Sequence, residues 1–543
     1  MITLVARRAV LDYARRPLNL VLLVAVPVVL VFVWGGTLAD FSELLGGTSD
    51  RGQIEAATAG WAAAALAGLA GFFQVSSSAA ADRRLAAAGH RTAPVVGGRV
   101  GAAVGLALLA SAGGLVALAA RAGIDDPPRA VAATVLFALI YVALGVLVGT
   151  LVRSEMNGAL VVTLAWVFDV FFGPALGTGS VALTRLFPLH FPTLVLTDQA
   201  SGHSGPLGDV GWSLAWAAGL SVVAVARLAA ATRPAPPPSA DRPLTALAAP
   251  ASLLTTSERA AAAPPAPAAA AARPVAVTRA TPSRAATRAV ASAARLAAAL
   301  RAGMREYRRN RVLWILLLVV PAVFIVLAIA VTPDTPGPVA LVDGSRHFTA
   351  MLSERRMHAA TMVPVTSAFL AGLTGLFVVT GSAGGDRRLV LAGFKPREVL
   401  AGRVGVIGAA TVLTTAVAVA VAGAWYPPRQ WAAFAAANLL IALTYAMVGV
   451  LVGPLTGRLG GLYLILLLAF IDVGLGQTIM FDASPPAWGA FLPARGASRV
   501  LIDGAFTGQF DEVGYLLLGL AWLTVLTAVT TAVFHRRTGS KRS

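Results

Sequence analysis

The sequence predicts an all-α membrane protein that crosses the bilayer twelve times, as two parallel six-helix repeats. Three observations predict this fold: an apolar composition, many apolar runs of helical length, and an internal repeat. Of the 543 residues, 57% are hydrophobic and only 13% are charged, and the mean hydropathy is +0.76. A soluble core of this size could not enclose so much apolar surface, so lipid must act as part of the solvent.

Apolar runs long enough to cross a bilayer recur along the chain. A spanning helix needs about 20 apolar residues, because every backbone polar group has to be bonded within the segment. In the first half, residues 1–231, the runs cover 18–36, 60–80, 97–120, 130–152, 157–176 and 211–231. In the second half, residues 305–543, they cover 312–331, 361–383, 402–424, 432–455, 460–480 and 513–534.

The segment between the halves, residues 232–304, has a different composition, rich in Pro, Ala and Arg. Its first part, 232–282, is typical of an extended linker because it includes three consecutive prolines. The following residues, 283–306, predict an interfacial helix with a stripe of arginines, which suits an anionic cytoplasmic leaflet. The alternative interpretation of these residues is a solvated basic linker.

The positive charge of the chain indicates its orientation. The formal net charge of +18 could suggest nucleic-acid binding, but no soluble basic domain is present to carry that function. Cytoplasmic loops of membrane proteins are enriched in Arg and Lys. Residues 233–311 contain 13 Arg against three acidic residues, and the tail after residue 535 contains four basic residues. We therefore expect a multi-pass protein of the bacterial inner membrane, with both termini cytoplasmic, the lipid bilayer around it and no nucleic-acid partner.

An internal repeat relates the two halves. The segment from Tyr13 to Pro27 matches that from Tyr307 to Pro321 without a gap. Residues 82–101 match 386–405, at an offset of 304, with 11 of 20 positions identical. Because each half has an even number of predicted spans, the repeats are parallel and are related by an axis along the membrane normal. Such repeats place a transport pathway between the halves.

The loop after the second span carries the same residues in both halves. The first copy contains Asp82, Arg83, Arg84, Gly89 and Arg99, and the second contains Asp386, Arg387, Arg388, Gly393 and Arg403. This succession of a charged start, a short helix, a glycine break and a basic residue at the next span resembles the type-2 ABC exporter permeases, in which this loop carries the coupling helix. The basic lead-in before the first span and the long outer segments at 177–210 and 481–512 are also similar to that family.

The resemblance implies a fusion of two half-permeases that binds two copies of a separately encoded ABC ATPase. That partner would bind ATP and Mg, and this chain would expel lipophilic or amphipathic small molecules such as antibiotics, as in multidrug efflux and antibiotic resistance. The ten loop residues would then couple ATP hydrolysis to transport. The alternative for the arginines is that they only enforce the positive-inside topology.

Two carboxylates lie inside predicted spans. Asp169 and Asp472 both fall about two-thirds along the fifth span of their half. A lone carboxylate costs about 2.5–3.5 kcal/mol at a bilayer centre, so each one is expected to face a cavity or a partner. We assign both to the substrate pathway as a hypothesis. Three roles stay open: binding a cationic substrate, carrying a proton, or bonding a neighbouring helix.

Motifs of enzymes are missing from the sequence. Neither Lys395 nor Lys541 follows the glycine pattern of a P-loop, the six His lack the spacing of a zinc helix, and there is no Cys. We expect no catalytic, cofactor-binding or metal site, so that ATP hydrolysis belongs to a partner. The competing hypothesis is a proton-coupled secondary drug transporter of the major-facilitator kind, with Asp169 and Asp472 as its proton carriers. A scaffold without transport is disfavoured by the repeat and the buried carboxylates.

Overall fold

The fold was obtained as a computed structural model of the chain. It describes residues 2–15, 17–45, 47, 50–176, 184–197, 205–233, 310–480 and 483–539, together with single positions between 294 and 308. Most of the Pro/Ala-rich linker and much of the predicted interfacial helix at 283–306 lie outside the described residues.

The first half consists of helices joined by short connections. They are α1 (Ile2–Ala14), α2 (Pro17–Leu44), α3 (Arg51–Ala87), α4 (Thr92–Arg121), α5 (Pro127–Leu151), α6 (Glu155–Phe171), α7 (His190–Leu196) and α8 (Gly205–Thr232). Side chains cap the starts of several helices: Asp50 accepts hydrogen bonds from two backbone N–H groups of α3, and Asp126 and Ser154 each accept one from α5 and α6. These caps satisfy backbone groups that the first turn of a helix leaves unpaired.

The second half follows the same order, with additions. It contains α9 (Arg311–Val331), β1 (Pro336–Asp343), β2 (Arg346–Ser353), α10 (Glu354–Leu391), α11 (Pro396–Trp425), α12 (Trp431–Ala469), a π-helix (Phe470–Gly476), a 3-10 helix (Ala487–Phe491), α13 (Arg495–Phe506) and α14 (Val513–Gly539). The antiparallel hairpin of β1 and β2 pairs Pro336 with Ser353 and Asp343 with Arg346. The sequence analysis did not predict it.

The helices confirm a polytopic membrane protein. Within the described residues, ten helices are long and apolar enough to cross a membrane. The difference from twelve has two sources. The predicted span 157–176 corresponds to α6, which has only 17 residues. The predicted spans 432–455 and 460–480 fall in one helical run, Trp431–Gly476. The count of twelve therefore stays a prediction.

The run of α12 and the π-helix is broken at Gly457, whose φ of 79° lies in the region that favours glycine. The Tyr445 hydroxyl oxygen, before the break, lies 2.9 Å from both the Leu468 carbonyl oxygen and the Asp472 carboxylate. Over the 27 residues that separate Tyr445 from Asp472, a straight helix would rise about 40 Å. The chain must therefore turn back at Gly457, so that the segments before and after it run antiparallel.

The hairpin accounts for a change in the spacing of the repeat. Tyr13 and Tyr307 are 294 positions apart, whereas Asp82 and Asp386 are 304 apart. The additional residues of the second half must lie between these landmarks, and β1 and β2 lie there, before α10. The hairpin is therefore an insertion that leaves the following helices in their repeated order.

Equivalent pairs of helices in the two halves touch at backbone distance. A Cβ added to Gly145 of α5 would lie 2.0 Å from the Gly68 carbonyl oxygen of α3, and a Cβ on Gly449 of α12 would lie 2.0 Å from the Gly372 carbonyl oxygen of α10. Helices α3 and α10 are also the most deeply buried of the long apolar helices. Small residues permit this close packing, which is the main attraction between helices in lipid.

The two halves meet through α2 against α12, and through α6 against α9. The Tyr463 hydroxyl of α12 donates to the Leu66 carbonyl of α3 at 3.1 Å. Near the start of α6, the Asn157 amide donates to the Asn310 side-chain oxygen at 3.0 Å, and Glu155 forms an ion pair with Arg458. Polar contacts of this kind tie helices together where lipid provides no hydrophobic drive.

We predict that Gly449→Ala destabilises the protein. The added Cβ overlaps the Gly372 carbonyl and must push α12 away from α10, which should cost about 3 kcal/mol. The thermal midpoint of the purified protein in detergent measures this. Gly408→Ala is the matched control, because a Cβ there meets no atom within 4 Å. Equal midpoints for the two variants would contradict the packing described.

Candidate functional site: two charged loops and a central cavity

The two repeated loops lie on one side of the bundle, which we call the terminus side. Asp12 of α1, Arg387 of the second loop and Phe534 near the C-terminus line the same cavity there. Each loop begins with a helix end closed by a glycine, Gly89 at φ 87° and Gly393 at φ 95°. The N–H of His90 reaches the Leu85 carbonyl, and the N–H of Phe394 reaches the Leu389 carbonyl. These bonds satisfy the last carbonyls of α3 and α10, which gives both loops the same sharp exit.

A buried ion pair anchors each loop to the next helix. Arg99 of α4 lies 2.9 Å from the Asp82 carboxylate, which also accepts a hydrogen bond of 2.8 Å from Ser78. In the second half, Arg403 of α11 lies 2.9 Å from Asp386. Ser382 donates to Asp386 at 2.9 Å. Both aspartates are almost fully buried. Their charge therefore depends on the paired guanidinium, because an unpaired buried carboxylate is costly.

The remaining arginines of the loops face outward. Arg83 and Arg84 are exposed in the first loop, and Arg387 and Arg388 are exposed in the second. The ten predicted coupling residues thus divide into two groups. Asp82, Arg99, Asp386, Arg403 and the two glycines form the frame of the loops, whereas the two arginine pairs are available to a partner.

The span aspartates face neighbouring helices. Asp169 accepts hydrogen bonds from the Tyr141 hydroxyl and from the N–H of Leu189, the latter at 3.3 Å. Asp472 accepts hydrogen bonds of 2.9 Å from both the Tyr445 hydroxyl and the N–H of Ala494. Each carboxylate thus ties the fifth span of its half to the preceding helix and to the segment that follows.

These contacts distinguish among the roles left open for the aspartates. Both side chains are about 2% exposed, and neither lines the cavity between the halves. Their contacts are those of the third role, bonding a neighbouring helix. The assignment of Asp169 and Asp472 to the substrate pathway stays a hypothesis.

A central cavity of about 990 Å³, including its open mouth, lies between the halves. Helices α2 and α6 of the first half and α9, α10 and the π-helix of the second half form its wall. Its aromatic side chains are Trp34, Phe41, Phe168, Phe171, Phe172, Phe324, His358 and Phe470. Among the described residues, no charged side chain lines it. The sequence analysis missed this cavity, although Phe168, Phe171 and Phe172 have the spacing of one helix face.

A layer of aromatic residues lies between the central cavity and the terminus side. Phe73 and Phe377, which occupy equivalent positions of the repeat, stack with ring centroids 6.5 Å apart and planes 4° from parallel. Beyond Phe73 lies a charged cavity of about 2370 Å³, including its open mouth, and its lining includes Asp12, Arg15, Glu155, Asp386, Arg387 and Arg458. The structure therefore has an apolar cavity between the halves and a charged cavity open toward the loops.

Opposite the terminus side, α13 carries a buried carboxylate outside the spanning helices. Burial raises the pKa of Asp503 to about 6. A hydrogen bond from Thr507 opposes this rise in the pKa, and the carboxylates of Asp511 and Glu512 reinforce it. Asp511 also accepts a 2.7 Å hydrogen bond from the N–H of Gly344, at the turn of the hairpin. The hairpin is thus held to the loop before α14.

No protein-family model matches this chain, and no curated protein is significantly similar to it. Its function therefore has to be argued from the loops, the cavities and the contacts between the halves.

We predict that the frame and the exposed arginines of the second loop respond differently to substitution. Arg403→Ala leaves Asp386 buried without its partner and should cost about 3 kcal/mol. Arg387→Ala removes an exposed side chain and should leave the stability unchanged. Thermal unfolding of both variants measures the difference. A stable Arg403→Ala protein would show that the ion pair does not anchor the loop.

We also predict that Asp472→Asn lowers stability without changing which compounds the protein binds. The amide removes the charge that accepts hydrogen bonds from Tyr445 and Ala494, at a cost of about 1–3 kcal/mol. Tyr445→Phe, which removes one donor to the same carboxylate, should show the same pattern. Thermal midpoints and a panel of binding assays test this. An altered range of bound compounds at full stability would return Asp472 to the substrate pathway.

Proposed function

We propose that the chain is the membrane-spanning permease of an ATP-driven exporter of the type-2 ABC kind. Two half-permeases are fused in it, each with six spans, and their parallel arrangement places the pathway on the axis between them. It lies in the cell membrane of a bacterium, and its terminus side faces the cytoplasm. Its cargo is lipophilic or amphipathic small molecules such as antibiotics. ATP and Mg are bound by two copies of a separate ATPase.

The observation that carries this proposal is the pair of equivalent loops. Each presents two exposed arginines on a helix end that a buried ion pair joins to the next helix. A partner can do work on membrane helices only through elements that both proteins hold, and exposed charges steer such contacts. A flexible loop would move without displacing the next helix when a partner moves. The Asp–Arg ion pairs instead couple movement of the loops to α4 and α11. Two equivalent loops suit two identical partners.

The repeat supports the arrangement of spans. When α6 is counted as a span and the run from Trp431 to Gly476 as two, each half crosses the membrane six times. The stack of Phe73 on Phe377 suits an axis that passes between them, since the two residues are equivalent. The positive charge of the loops and the tail favours a cytoplasmic terminus side.

The central cavity supports the class of cargo. An apolar, aromatic wall binds lipophilic compounds through burial and ring contacts. Sites for lipophilic ligands are concave and mostly apolar, as this cavity between the halves is. The aromatic layer at Phe73 and Phe377 separates this volume from the charged cavity, so that access from the terminus side requires the halves to move.

The test of the proposal is the energy source of efflux. Cells that contain ATP but no proton gradient should export a lipophilic dye through this protein, and cells with an imposed gradient but no ATP should not. Efflux on the gradient alone would replace the proposal with a proton-coupled secondary transporter.

Charge reversal of the exposed arginines should abolish this efflux. Arg387→Glu with Arg388→Glu repels the partner ATPase from the second loop, so we expect more than tenfold slower export at an unchanged amount of folded protein. Arg346→Glu, an equally exposed site on the hairpin, is the matched control and should export normally. Normal export by the double variant would remove the coupling role of the loop.

A further inference from the structure

The central cavity has a histidine in its wall, and its contacts fix the position of its proton. Nδ1 of His358 lies 2.5 Å from the Thr332 hydroxyl oxygen, and that oxygen lies 2.7 Å from the Ala328 carbonyl. A hydroxyl has one proton to donate. Two oxygens at 2.7 Å repel each other unless the proton lies between them, so Thr332 donates to Ala328. Nδ1 of His358 is then the donor to Thr332.

The other ring nitrogen is therefore an acceptor. In a neutral imidazole one nitrogen carries the proton and the other has a free lone pair. With the proton on Nδ1, the lone pair belongs to Nε2 of His358, and no hydrogen-bond donor among the described residues reaches Nε2. The ring is held in place by an edge contact with Phe41, with centroids 5.4 Å apart. The cavity thus offers a fixed acceptor in an apolar wall.

Two threonines of the wall are engaged within the protein, whereas the indole N–H of Trp34, also in the wall, has no partner among the described residues. The Thr361 hydroxyl donates to the Met357 carbonyl at 3.0 Å. The Thr478 hydroxyl accepts from the N–H of Met480 at 3.2 Å. A buried acceptor without a partner costs free energy. A ligand that brings a donor to Nε2 of His358 therefore binds more tightly than a ligand that does not.

The acceptor is present in one half alone. The position equivalent to His358, 304 residues earlier, is Ile54, which is fully buried. A ligand in the cavity consequently meets the ring acceptor on the side of α10, whereas α2 of the first half contributes the indole N–H of Trp34, which is a donor. Because the described wall has no charged residue, a charged ligand would lose hydration without gaining an ion pair.

We propose that His358 selects the cargo, and that the cargo is a neutral lipophilic compound whose hydroxyl or N–H group donates to Nε2 of His358. This proposal rests on the proposed function, because it names the substrate class of the same pathway. The aromatic wall supplies most of the affinity through burial, and the single hydrogen bond supplies the orientation and the discrimination. Compounds that lack the donor leave Nε2 unpaired and bind more weakly.

Binding of matched probes to the purified permease in lipid nanodiscs tests this. N-phenyl-1-naphthylamine is neutral, aromatic and carries one N–H, and its N-methyl derivative lacks that donor. After subtraction of the signal from empty nanodiscs, we expect the wild-type protein to bind the amine about tenfold more tightly. His358→Leu should bind both probes equally, whereas His358→Gln, which keeps an acceptor, should still prefer the amine. Met362→Leu, in the same wall, should behave as the wild type.

Three outcomes would overturn the proposal. They are equal binding of both probes by the wild type, a preference for the amine that survives His358→Leu, and tighter binding of the cation tetraphenylphosphonium than of either neutral probe. Thermal midpoints confirm that each variant is folded, and His358→Gln carries the test if the leucine variant is not. Binding of the probes needs no ATPase. If the probes show no preference that depends on His358 while ATP-driven export is intact, the role of His358 is rejected and the proposed function stands. Selective binding without ATP-driven export rejects the proposed function alone.

Discussion

The contact on which the bundle depends is the approach of two helices at backbone distance, made by equivalent helices in the two halves. Gly145 meets the Gly68 carbonyl, and Gly449 meets the Gly372 carbonyl. In a bilayer the surrounding lipid is as apolar as the side chains, so apolar burial does not drive helices together as it does in water. Close packing drives helices together in lipid, and glycine allows the closest packing. Helices α3 and α10 are thereby fixed at the centre of their halves, and the other helices are placed around them.

The same two central helices connect the loops to the middle of the membrane. At the terminus side they end in the Asp–Arg frames, and in the middle they bring Phe73 and Phe377 together. A push on a loop therefore acts on a helix that is packed along most of its length. Because the interior is close-packed, such a push moves helices as units and does not dissipate in the side chains. The aromatic stack lies where relative movement of the halves would open or close the pathway.

The long apolar helices and the repeated loops could be predicted from the sequence, because hydropathy and charge are properties of single segments. The pairing of Tyr445 with Asp472 across the turn at Gly457 could not, since it joins two different helical segments. The environment of Asp169 was unknown for the same reason: its partner Tyr141 lies 28 residues away on another helix. The cavity combines side chains from both halves, so no single stretch of sequence contains it.

The halves differ at the positions that face each other. Glu155 and Arg458 are 303 positions apart, like Asp169 and Asp472, so an ion pair joins equivalent positions that carry opposite charges. His358 likewise corresponds to Ile54. The frames of the loops, in contrast, are repeated residue by residue. In the proposed exporter, two identical partners acting on a duplicated frame would produce a symmetric movement, whereas an asymmetric wall would give a bound molecule one preferred orientation. Fusion of the halves in one chain allows both, because each side of the pathway can then acquire its own residues.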